Sequence, residues 1–240
     1  MRKLKAVMVS FAHVHAPGYA EQLARDQRVD FAGVYDEDEA RGKGYAQRYG
    51  VPFHSDLASM LEKVKPDLAV VCSPTRMHVE HAKLLAEHGV HAFFEKPLAR
   101  TVKECDEIIS AASKAGVKAT VGFNARFDPA NAAAKAVVER GELGRVFTAR
   151  VRIAHSGALD RWFEGPRWFA DIELAGGGGF LDLGVHGADL LRWLLGEARG
   201  VAARVANLSG AYPIDDFGVA VIEFESGSVG VLEAGWVQRA

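Results

Sequence analysis

Residues 90–97, Val-His-Ala-Phe-Phe-Glu-Lys-Pro, form the most informative stretch of the chain. The apolar run from Val90 to Phe94 is short, which predicts a strand covered on both faces. Pro97 cannot donate to a sheet hydrogen bond and disfavours helical geometry at Lys96, so the strand ends there. Ligands of open α/β sheets bind at the carboxyl ends of strands, where Lys96 could serve as a proton donor or a charge clamp. The alternative is an ordinary surface salt bridge between Glu95 and Lys96.

Strand and helix patterns alternate on both sides of this stretch. The other predicted strands are Leu4 to Val9, Val29 to Tyr35, Val51 to Phe53, Leu68 to Val71 and Val117 to Phe123. The predicted helices are Pro17 to Arg25, Glu37 to Tyr49, one opened by Ser55 or Asp56, Met77 to His88, and one running from a Thr101–Glu104 capping box to Gly116. This alternation predicts an α/β domain with a doubly wound parallel sheet.

The pattern changes after Phe123. A helix from Pro129 to Arg140 precedes a strand from Arg145 to Ile153. The later strands, Val201 to Asn207, Phe217 to Phe224 and Ser228 to Trp236, have the spacing of an antiparallel meander. We therefore predict two domains, residues 1–123 for nucleotide binding and residues 124–240 as an α+β domain with a mostly antiparallel sheet. The chain ends at Ala240 directly after a strand, so we expect that a partner covers this edge or that the sequence is incomplete.

Composition excludes several classes of protein. The 240 residues are 49% hydrophobic and carry a formal net charge of −2, so no basic surface for nucleic acid is expected. No apolar run approaches the length of a membrane span, and the basic N-terminus leads directly into a strand rather than a signal peptide. Cys72 and Cys105 are isolated, which indicates reduced thiols and a cytoplasmic location.

The turn after the first strand has an unusual sequence. A dinucleotide-binding sheet usually has a G-x-G-x-x-G turn here, so that the backbone can approach a pyrophosphate at a helix N-terminus. Ser10, Ala12 and His15 occupy the three glycine positions. Ser10 and Ala12 are small enough to leave room for a phosphate. Asp36, at the end of the second strand, is placed to accept hydrogen bonds from a ribose diol.

His13 and His15 form an H-x-H pair, which is also typical of metal sites. No neighbouring residue in the sequence supplies the third and fourth ligands, and the strands are too few for an eight-stranded barrel. We therefore predict no metal and expect the two histidines to contact the cofactor or to cap the helix.

A second candidate site lies in residues 176–196, GGGGFLDLGVHGADLLRWLLG. Asp182, His186 and Asp189 are spaced to share one face of a helix that begins after the glycines. A carboxylate one turn from an imidazole can fix its tautomer and raise its basicity, as a general base requires. The alternative is a pair of polar residues with a structural role only. The glycine run favours the functional interpretation, because it suggests close approach of the backbone to a ligand.

Three segments together resemble the Gfo/Idh/MocA family of oxidoreductases. They are residues 73–99, SPTRMHVEHAKLLAEHGVHAFFEKPLA, residues 122–130, GFNARFDPA, and residues 175–196. The resemblance covers nearly the whole chain. It implies a Rossmann domain that binds NAD, or alternatively NADP, followed by a domain that holds the substrate and makes homo-oligomer contacts through its sheet. The chain departs from the family pattern at the glycine turn and at Thr75, where asparagine is common, and it ends before the family's last strands and closing helix.

The resemblance also implies roles for individual residues. Lys96 would contact the reacting hydroxyl and the nicotinamide ribose, His186 would be the general base, and Asp182 its partner. The implied cofactor-binding residues are Ser10, Phe11, Ala12, His13, Val14, Asp36, Ser73, Pro74, Thr75, His78, Glu95, Lys96, Asn124 and Arg126. The Lys96–Pro97 bond is a candidate for the cis form.

The predicted function is NAD(P)-dependent transfer of hydride to or from a secondary alcohol of a sugar, cyclitol or related polyol. Asp36 favours NAD because it would repel a 2′-phosphate, although nearby Arg41 leaves NADP open. Three alternatives remain at this stage: a nucleotide-binding sensor without turnover, a metal-dependent hydrolase using the H-x-H pair, and an enzyme that uses transient oxidation for elimination or hydrolysis. Trp162, Arg167 and Trp168, in the loop from His155 to Ala175, either stack on a sugar ring or pack within the protein.

Overall fold

Each of two chain units holds a sheet of its own in the computed structural model, which describes residues 2–239. The units are Met1–Gly122 and Phe123–Ala240. The expected division after residue 123 lies next to this boundary. Among the described residues, no helix has both the length and the apolar character needed to cross a membrane.

The first unit contains a six-stranded parallel sheet. Its strands are β1 (Leu4–Val9), β2 (Val29–Tyr35), β3 (Phe53–His54), β4 (Leu68–Val71), β5 (His91–Phe94) and β6 (Ala119–Val121). They lie in the order β3-β2-β1-β4-β5-β6, with every adjacent pair parallel. The predicted doubly wound sheet is therefore confirmed. The order reverses between β1 and β4, and the crevice at such a reversal is where ligands of this fold bind.

Among the described residues, five α-helices cover this sheet, and three of them begin at a residue whose side chain caps the helix. They are α1 (Ala16–Arg25), α2 (Glu39–Tyr49), α3 (Leu57–Val64), α4 (His78–Glu87) and α5 (Val102–Ala115). Helix α2 begins later than predicted because Asp38, not Glu37, accepts the capping hydrogen bond. The Thr101 hydroxyl caps α5 as predicted, but the Glu104 carboxylate accepts the amide of Arg100 rather than that of Thr101.

The apolar core of the first unit lies on both faces of its sheet. Because successive strand side chains point to opposite faces, Val7 and Val9 enter one cluster with Leu85, whereas Met8 enters the other with Val70. All three of the β1 residues are fully buried. This double burial explains why the central strands β1 and β4 contain apolar runs without polar alternation.

The second unit combines three helices with a mixed sheet. Its elements are α6 (Pro129–Glu139), β7 (Thr148–Ala154), α7 (Ile172–Ala175), α8 (Gly179–Leu195), β8 (Ala198–Ala206), β9 (Phe217–Phe224) and β10 (Val229–Gly235). The strand order is β7-β10-β9-β8. β8, β9 and β10 form the predicted antiparallel meander, whereas β7 pairs parallel with β10. The prediction of a mostly antiparallel sheet is confirmed.

Helix α8 packs against one face of this sheet at very short range. A Cβ atom on Gly187 would lie 2.2 Å from Leu232 of β10, so only glycine allows this approach. Leu191, one turn later, is fully buried. Since α8 carries Asp182 and His186, this close packing fixes the position of both side chains relative to the sheet.

Candidate functional site

The turn between β1 and α1 has the backbone shape of a glycine turn without its glycines. Ser10 has a φ of +71°, in the left-handed region that usually requires glycine. Its amide donates to the Tyr35 carbonyl oxygen at 2.7 Å, and its hydroxyl oxygen accepts the amide of Ala12 at 3.1 Å. The serine side chain therefore stabilises the turn from within, which offsets the strain of the backbone.

The N-terminus of α1 is open to an anion. His15 is the N-cap residue but makes no side-chain capping bond, and the first turn contains no acidic residue. The amide of Val14 donates no backbone hydrogen bond within residues 2–239. This amide and the positive end of the helix dipole together make a site suited to a phosphate group.

Glu95 and Lys96 follow β5 and are buried, with 1% and 3% of their surface exposed. The surface salt bridge considered from the sequence does not fit this burial. Glu95 accepts a hydrogen bond from the Tyr19 hydroxyl at 2.6 Å and from the Lys96 amide at 3.0 Å. The Lys96–Pro97 bond is cis. The sequence analysis missed Tyr19, whose hydroxyl reaches Glu95 from α1.

The Glu95 carboxylate carries a buried negative charge. Burial by itself would raise its pKa, but the hydrogen bond from His15, the proximity of His13 and the Tyr19 hydroxyl lower the pKa to about 2. The same contact acts in the other direction on Tyr19, since burial and the Glu95 charge raise the pKa of its phenol. Burial also lowers the pKa of His13 well below its usual value, so His13 is neutral at physiological pH.

His13, His15 and Glu95 form a group whose possible metal-ligand atoms all lie within 4.8 Å of one another. The structure thus supplies a third candidate ligand that the sequence analysis did not find. The tautomer of His13 argues against a metal, however. Its Nδ1 accepts the amide of His15 at 3.1 Å, so the ring proton of the neutral side chain is on Nε2, the atom that faces Glu95 at 3.9 Å. Metal binding through Nε2 would place a proton on Nδ1 and break the turn's hydrogen bond.

Buried histidines fix the end of β4 to the turn after β5. The two ring nitrogens of His78 contact the Leu98 carbonyl oxygen at 2.9 Å and the Ser73 carbonyl oxygen at 3.1 Å. The Ser73 hydroxyl contacts Nδ1 of His81 at 3.0 Å. Burial lowers the pKa of His78, and it lowers the pKa of His81 to about 3. The sequence analysis missed His81, whose helical spacing from His78 is the only signal. Pro74 and Thr75, which lie between Ser73 and His78 in the chain, are buried.

At the end of β2, Asp36 is buried and its carboxylate accepts the amide of Phe11 at 2.8 Å. It also pairs with the Arg41 guanidinium, whose Nη2 is 2.6 Å from Oδ1. Asp36 thereby links the end of β2 to the β1–α1 turn. Phe11 is stacked on Tyr45 of α2, with the ring centroids 4.0 Å apart.

In the second unit, Asp182, His186 and Asp189 share one face of α8, as their spacing predicts. Asp182 is 8% exposed and accepts a hydrogen bond from the buried indole Nε1 of Trp236 at 2.9 Å. His186 is equally buried, and its ring contacts that of Phe123 edge-on, with centroids 6.0 Å apart. The sequence analysis did not identify Trp236 as a partner of Asp182.

Arg126 and Asn124 lie in a single 3₁₀ turn, Asn124–Phe127. The Arg126 guanidinium forms a two-pronged ion pair with Asp189 of α8, at 2.7 and 2.6 Å. This pair raises the pKa of Arg126 further and fixes the guanidinium against the helix that carries His186. Asn124 is exposed.

The glycine run before α8 packs closely against another segment of the same chain, residues 215–216. A Cβ on Gly178 would lie 1.9 Å from the Asp215 carbonyl oxygen, and one on Gly179 would lie 2.8 Å from the Asp216 carbonyl oxygen. The Asp215 carboxylate accepts the amides of Gly178 at 2.8 Å and Phe180 at 2.9 Å. The sequence analysis took these glycines as a sign of close approach to a ligand, and this interpretation was wrong at Gly178 and Gly179. Because these two residues have no side chain, the 215–216 segment can pack against them and cap α8.

The aromatic residues of the 155–175 loop have different environments. Trp168 is 9% exposed and stacks on Phe169 at a centroid distance of 4.0 Å. Trp162 is 52% exposed and stacks on His155 at 4.7 Å. Trp168 thus packs within the protein, whereas the outer face of Trp162 is open to contact a ligand.

Comparison with known proteins agrees with this arrangement. A family model described as an oxidoreductase family with an NAD-binding Rossmann fold matches residues 6–123, and the GFO/IDH/MocA C-terminal domain model matches residues 131–240. The chain belongs to the Gfo/Idh/MocA family. The family assignment made from the three sequence segments is confirmed, and the first unit is an NAD-binding Rossmann domain.

Several Gfo/Idh/MocA proteins are similar along most of this chain. The uncharacterised oxidoreductase YrbE of Bacillus subtilis is 30% identical over 221 residues, which cover 90% of this chain and 62% of YrbE. The D-glucoside 3-dehydrogenase of Escherichia coli is 29% identical, with coverage of 80% and 54%. The structure of GenD2 from gentamicin A biosynthesis, solved in complex with NAD, matches with a TM-score of 0.92 and 30% identity, covering 100% of this chain and 68% of GenD2. The chain thus spans 54–62% of the length of these two curated relatives.

Proposed function

We propose that this protein is an NAD(P)-dependent oxidoreductase that transfers hydride between a nicotinamide and a secondary alcohol of a sugar, cyclitol or related polyol. The observation that carries the proposal is the buried Glu95-Lys96 pair at the carboxyl end of β5, in a sheet with the nucleotide-binding strand order. Relatives named as D-glucoside 3-dehydrogenase and scyllo-inositol 2-dehydrogenase (NAD(+)) support the substrate class.

The residues present fit a dinucleotide. The β1–α1 turn keeps a glycine-like backbone at Ser10, and the first turn of α1 contains no acidic residue among the residues described. In this proposal the residues of the first unit that line the cofactor are Ser10, Phe11, Ala12, His13, Val14, Ser73, Pro74, Thr75, His78, Glu95 and Lys96. Asp36 stabilises the turn by accepting the Phe11 amide. Asn124 and Arg126 are the proposed cofactor-binding residues of the second unit.

The catalytic residues in this proposal are Lys96 and His186. His186 takes the proton of the substrate hydroxyl, and Lys96 stabilises the developing negative charge on the same oxygen. Asp182 orients His186 and is itself held by the Trp236 indole. NAD, when bound, supplies the hydride acceptor.

The test combines cofactor titration with a screen of sugars, cyclitols and other polyols. Lys96→Ala and His186→Ala should each lower kcat by at least 100-fold, because a positioned proton-transfer group contributes about 10²–10⁴ in rate and a positioned charge-stabilising group about 10²–10³. The matched controls are Lys83→Ala and His88→Ala, which remove exposed residues of and beside α4. Turnover of a genuine substrate at the wild-type rate by either active-site variant would refute the assignment. Cofactor binding without turnover of any polyol would instead indicate a nucleotide-binding sensor. A product that has lost water or a leaving group from the substrate would indicate an enzyme that uses transient oxidation for elimination or hydrolysis.

We also propose that the protein forms homo-oligomers through the open face of its second sheet. The face opposite α8 has an apolar centre, in which Val221 is 45% exposed, beside the Arg150–Glu233 ion pair at 2.8 Å. Light scattering of the purified protein should give a mass above 25.9 kDa, and Val221→Asp should lower it. A monomer at micromolar concentration would contradict this proposal.

Both cysteines are free thiols in the structure, which supports a cytoplasmic location.

A further inference from the structure

Tyr19 of α1 is the closer of two side chains that contact one oxygen of the buried Glu95 carboxylate. Its hydroxyl donates to Oε2 at 2.6 Å. Nδ1 of His15 lies 3.4 Å from the same oxygen, and the His15 side chain is 45% exposed. Because Tyr19 and His15 are four residues apart at the start of the helix, both reach Glu95 from the same side of α1. The phenol is therefore the stronger of the two donors to Oε2.

The surroundings of this hydrogen bond leave it little room to change. The Tyr19 ring meets Phe93 of β5 edge-on, with the ring centroids 5.1 Å apart. Gly122 follows β6, and a Cβ atom there would lie 3.2 Å from the Tyr19 hydroxyl oxygen and 3.4 Å from Oε2 of Glu95. The phenol and the carboxylate are therefore packed between a strand and the backbone at the end of the next strand, which fixes their geometry.

The other oxygen of the carboxylate connects this hydrogen bond to Lys96. Oε1 of Glu95 accepts the amide of Lys96 at 3.0 Å. Since a carboxylate group is planar and rigid, a donor that fixes Oε2 also fixes Oε1 and the Lys96 peptide bonded to it. Lys96 is 3% exposed, so the base of its side chain is held in the protein interior. A charge that stabilises a developing oxyanion has to be in position before the reaction begins.

The charge states of the pair suit a permanent donor and a permanent acceptor. Burial and the Glu95 charge raise the pKa of Tyr19, and the pKa of Glu95 is lowered to about 2, so a neutral phenol faces an ionised carboxylate at neutral pH. Hydrogen bonds to ionised groups are the stronger ones. Without the phenol, the buried charge would turn towards its other neighbours, His13, His15 and Lys96. A carboxylate that turned towards the Lys96 ammonium would compete with the substrate oxygen.

We infer that Tyr19 is a positioning residue for Lys96 and acts through Glu95. Its hydroxyl fixes the carboxylate, and the carboxylate fixes the lysine peptide. Loss of this hydroxyl should slow the chemical step without weakening NAD binding, because the hydroxyl hydrogen is directed at Glu95. This inference rests on the proposed function.

The experiment compares Tyr19→Phe with the matched control Tyr49→Phe. Tyr19→Phe keeps the ring that contacts Phe93 and removes only the hydroxyl. Tyr49→Phe also removes a hydroxyl bound to α1, since that group donates to the Pro17 carbonyl oxygen at 3.2 Å, but it leaves Glu95 untouched. With the polyol that the wild type oxidises fastest, Tyr19→Phe should lower kcat about tenfold, the lower end of what a hydrogen bond to a charged group contributes. Tyr49→Phe should keep the wild-type kcat, and calorimetry should give NAD dissociation constants within about twofold of wild type for both variants.

A double-mutant cycle with Glu95→Gln shows whether Tyr19 acts through the carboxylate. In the Glu95→Gln protein, Tyr19→Phe should lower kcat by less than about twofold, because the charge that the hydroxyl orients is gone. The urea midpoint is a second readout that needs no turnover. Tyr19→Phe should lower this midpoint more in the wild type than in Glu95→Gln.

Several results would overturn the inference and leave the proposed function intact. They are an unchanged kcat in Tyr19→Phe, an equal fall in Tyr49→Phe, and losses of kcat or of urea midpoint that simply add in the double variant. A loss confined to NAD affinity would also overturn it, because Tyr19 would then be a cofactor-binding residue. A wild-type protein that turns over no polyol would overturn the proposed function, and the inference with it.

Discussion

At position 10 a serine has a backbone conformation that usually belongs to glycine. A residue with a side chain in the left-handed region is strained by roughly 1–3 kcal/mol, and such strain persists only where the surroundings enforce it. Here the enforcing contacts are the hydroxyl's bonds to the Ala12 amide and to Glu37. The function of the turn thus depends on its backbone shape. A glycine motif is one way to obtain this shape, and a serine that bonds to its own turn is another.

Glu95 should make stability depend on pH. Its pKa is lowered to about 2 in the folded protein, below its usual value of 4.5, so the stabilisation is present above pH 4.5 and is lost as the pH falls towards 2. A shift of this size corresponds to about 3 kcal/mol. Glu95→Gln should therefore lower the free energy of unfolding at pH 7 by an amount of this order, and the difference from wild type should shrink at pH 2–3.

Urea unfolding at several pH values measures this effect. Glu62→Gln, which removes an exposed carboxylate from α3, is the matched control and should retain the wild-type pH dependence. A Glu95→Gln protein that is as stable as wild type at pH 7 would show that the buried charge contributes nothing to stability.

At the scale of elements, helix ends and strand positions followed from local chemistry and were predictable. Asp56 and Thr101 cap helices as their residue types predict, and Gly116 ends α5 with a φ of +67°. The parallel pairing of β7 with β10 was not predictable, because periodicity shows that a segment is a strand but not which strand it joins. The hydrogen-bond partners of Asp182 and Glu95 were not predicted either, because periodicity does not show which distant residues meet. Trp236 is 54 residues from Asp182 in the chain, and Tyr19 is 76 residues from Glu95.

Two glycines of α2 should respond to alanine in opposite ways. A Cβ on Gly42 would lie 2.4 Å from the Phe53 ring and 2.6 Å from Cβ of Asp36, whereas nothing lies within 4 Å of one on Gly44. Gly42→Ala should destabilise the protein by about 1–3 kcal/mol through overpacking. Gly44→Ala should stabilise it by about 0.5–1 kcal/mol, because alanine loses less backbone freedom in a helix. Thermal unfolding of the two variants checks both signs, and equal shifts would contradict the packing of α2.

The cap of α8 should link stability to activity. Asp215→Ala removes the acceptor for two amides at the start of the helix that carries Asp182 and His186, and should destabilise the protein by about 1–2 kcal/mol. Turnover should fall as well. Asp128→Ala removes the comparable cap of α6, which bonds the amides of Ala130 and Asn131, and should lower stability without changing kcat. If both variants have the kcat of the wild type, the cap does not position the catalytic face.

At the scale of the whole molecule, the protein should function without a bound metal. The His13 tautomer opposes coordination in the group formed with His15 and Glu95. Protein purified without an affinity tag should contain far less than one transition-metal ion per chain, and EDTA should leave its melting temperature unchanged. Stoichiometric zinc or manganese that disappears in Glu95→Gln would contradict this expectation and would revive a hydrolytic function.

The strand order of the first sheet also bears on how the protein is made. Within residues 2–239, every strand of that sheet lies between Leu4 and Val121, and none is contributed by the second unit. Domains generally fold as units during synthesis, with the N-terminal one first. The NAD-binding domain can therefore complete its sheet while the ribosome is still translating the later half. Ambient cofactor could then stabilise the nascent chain before His186, the proposed general base, has been synthesised.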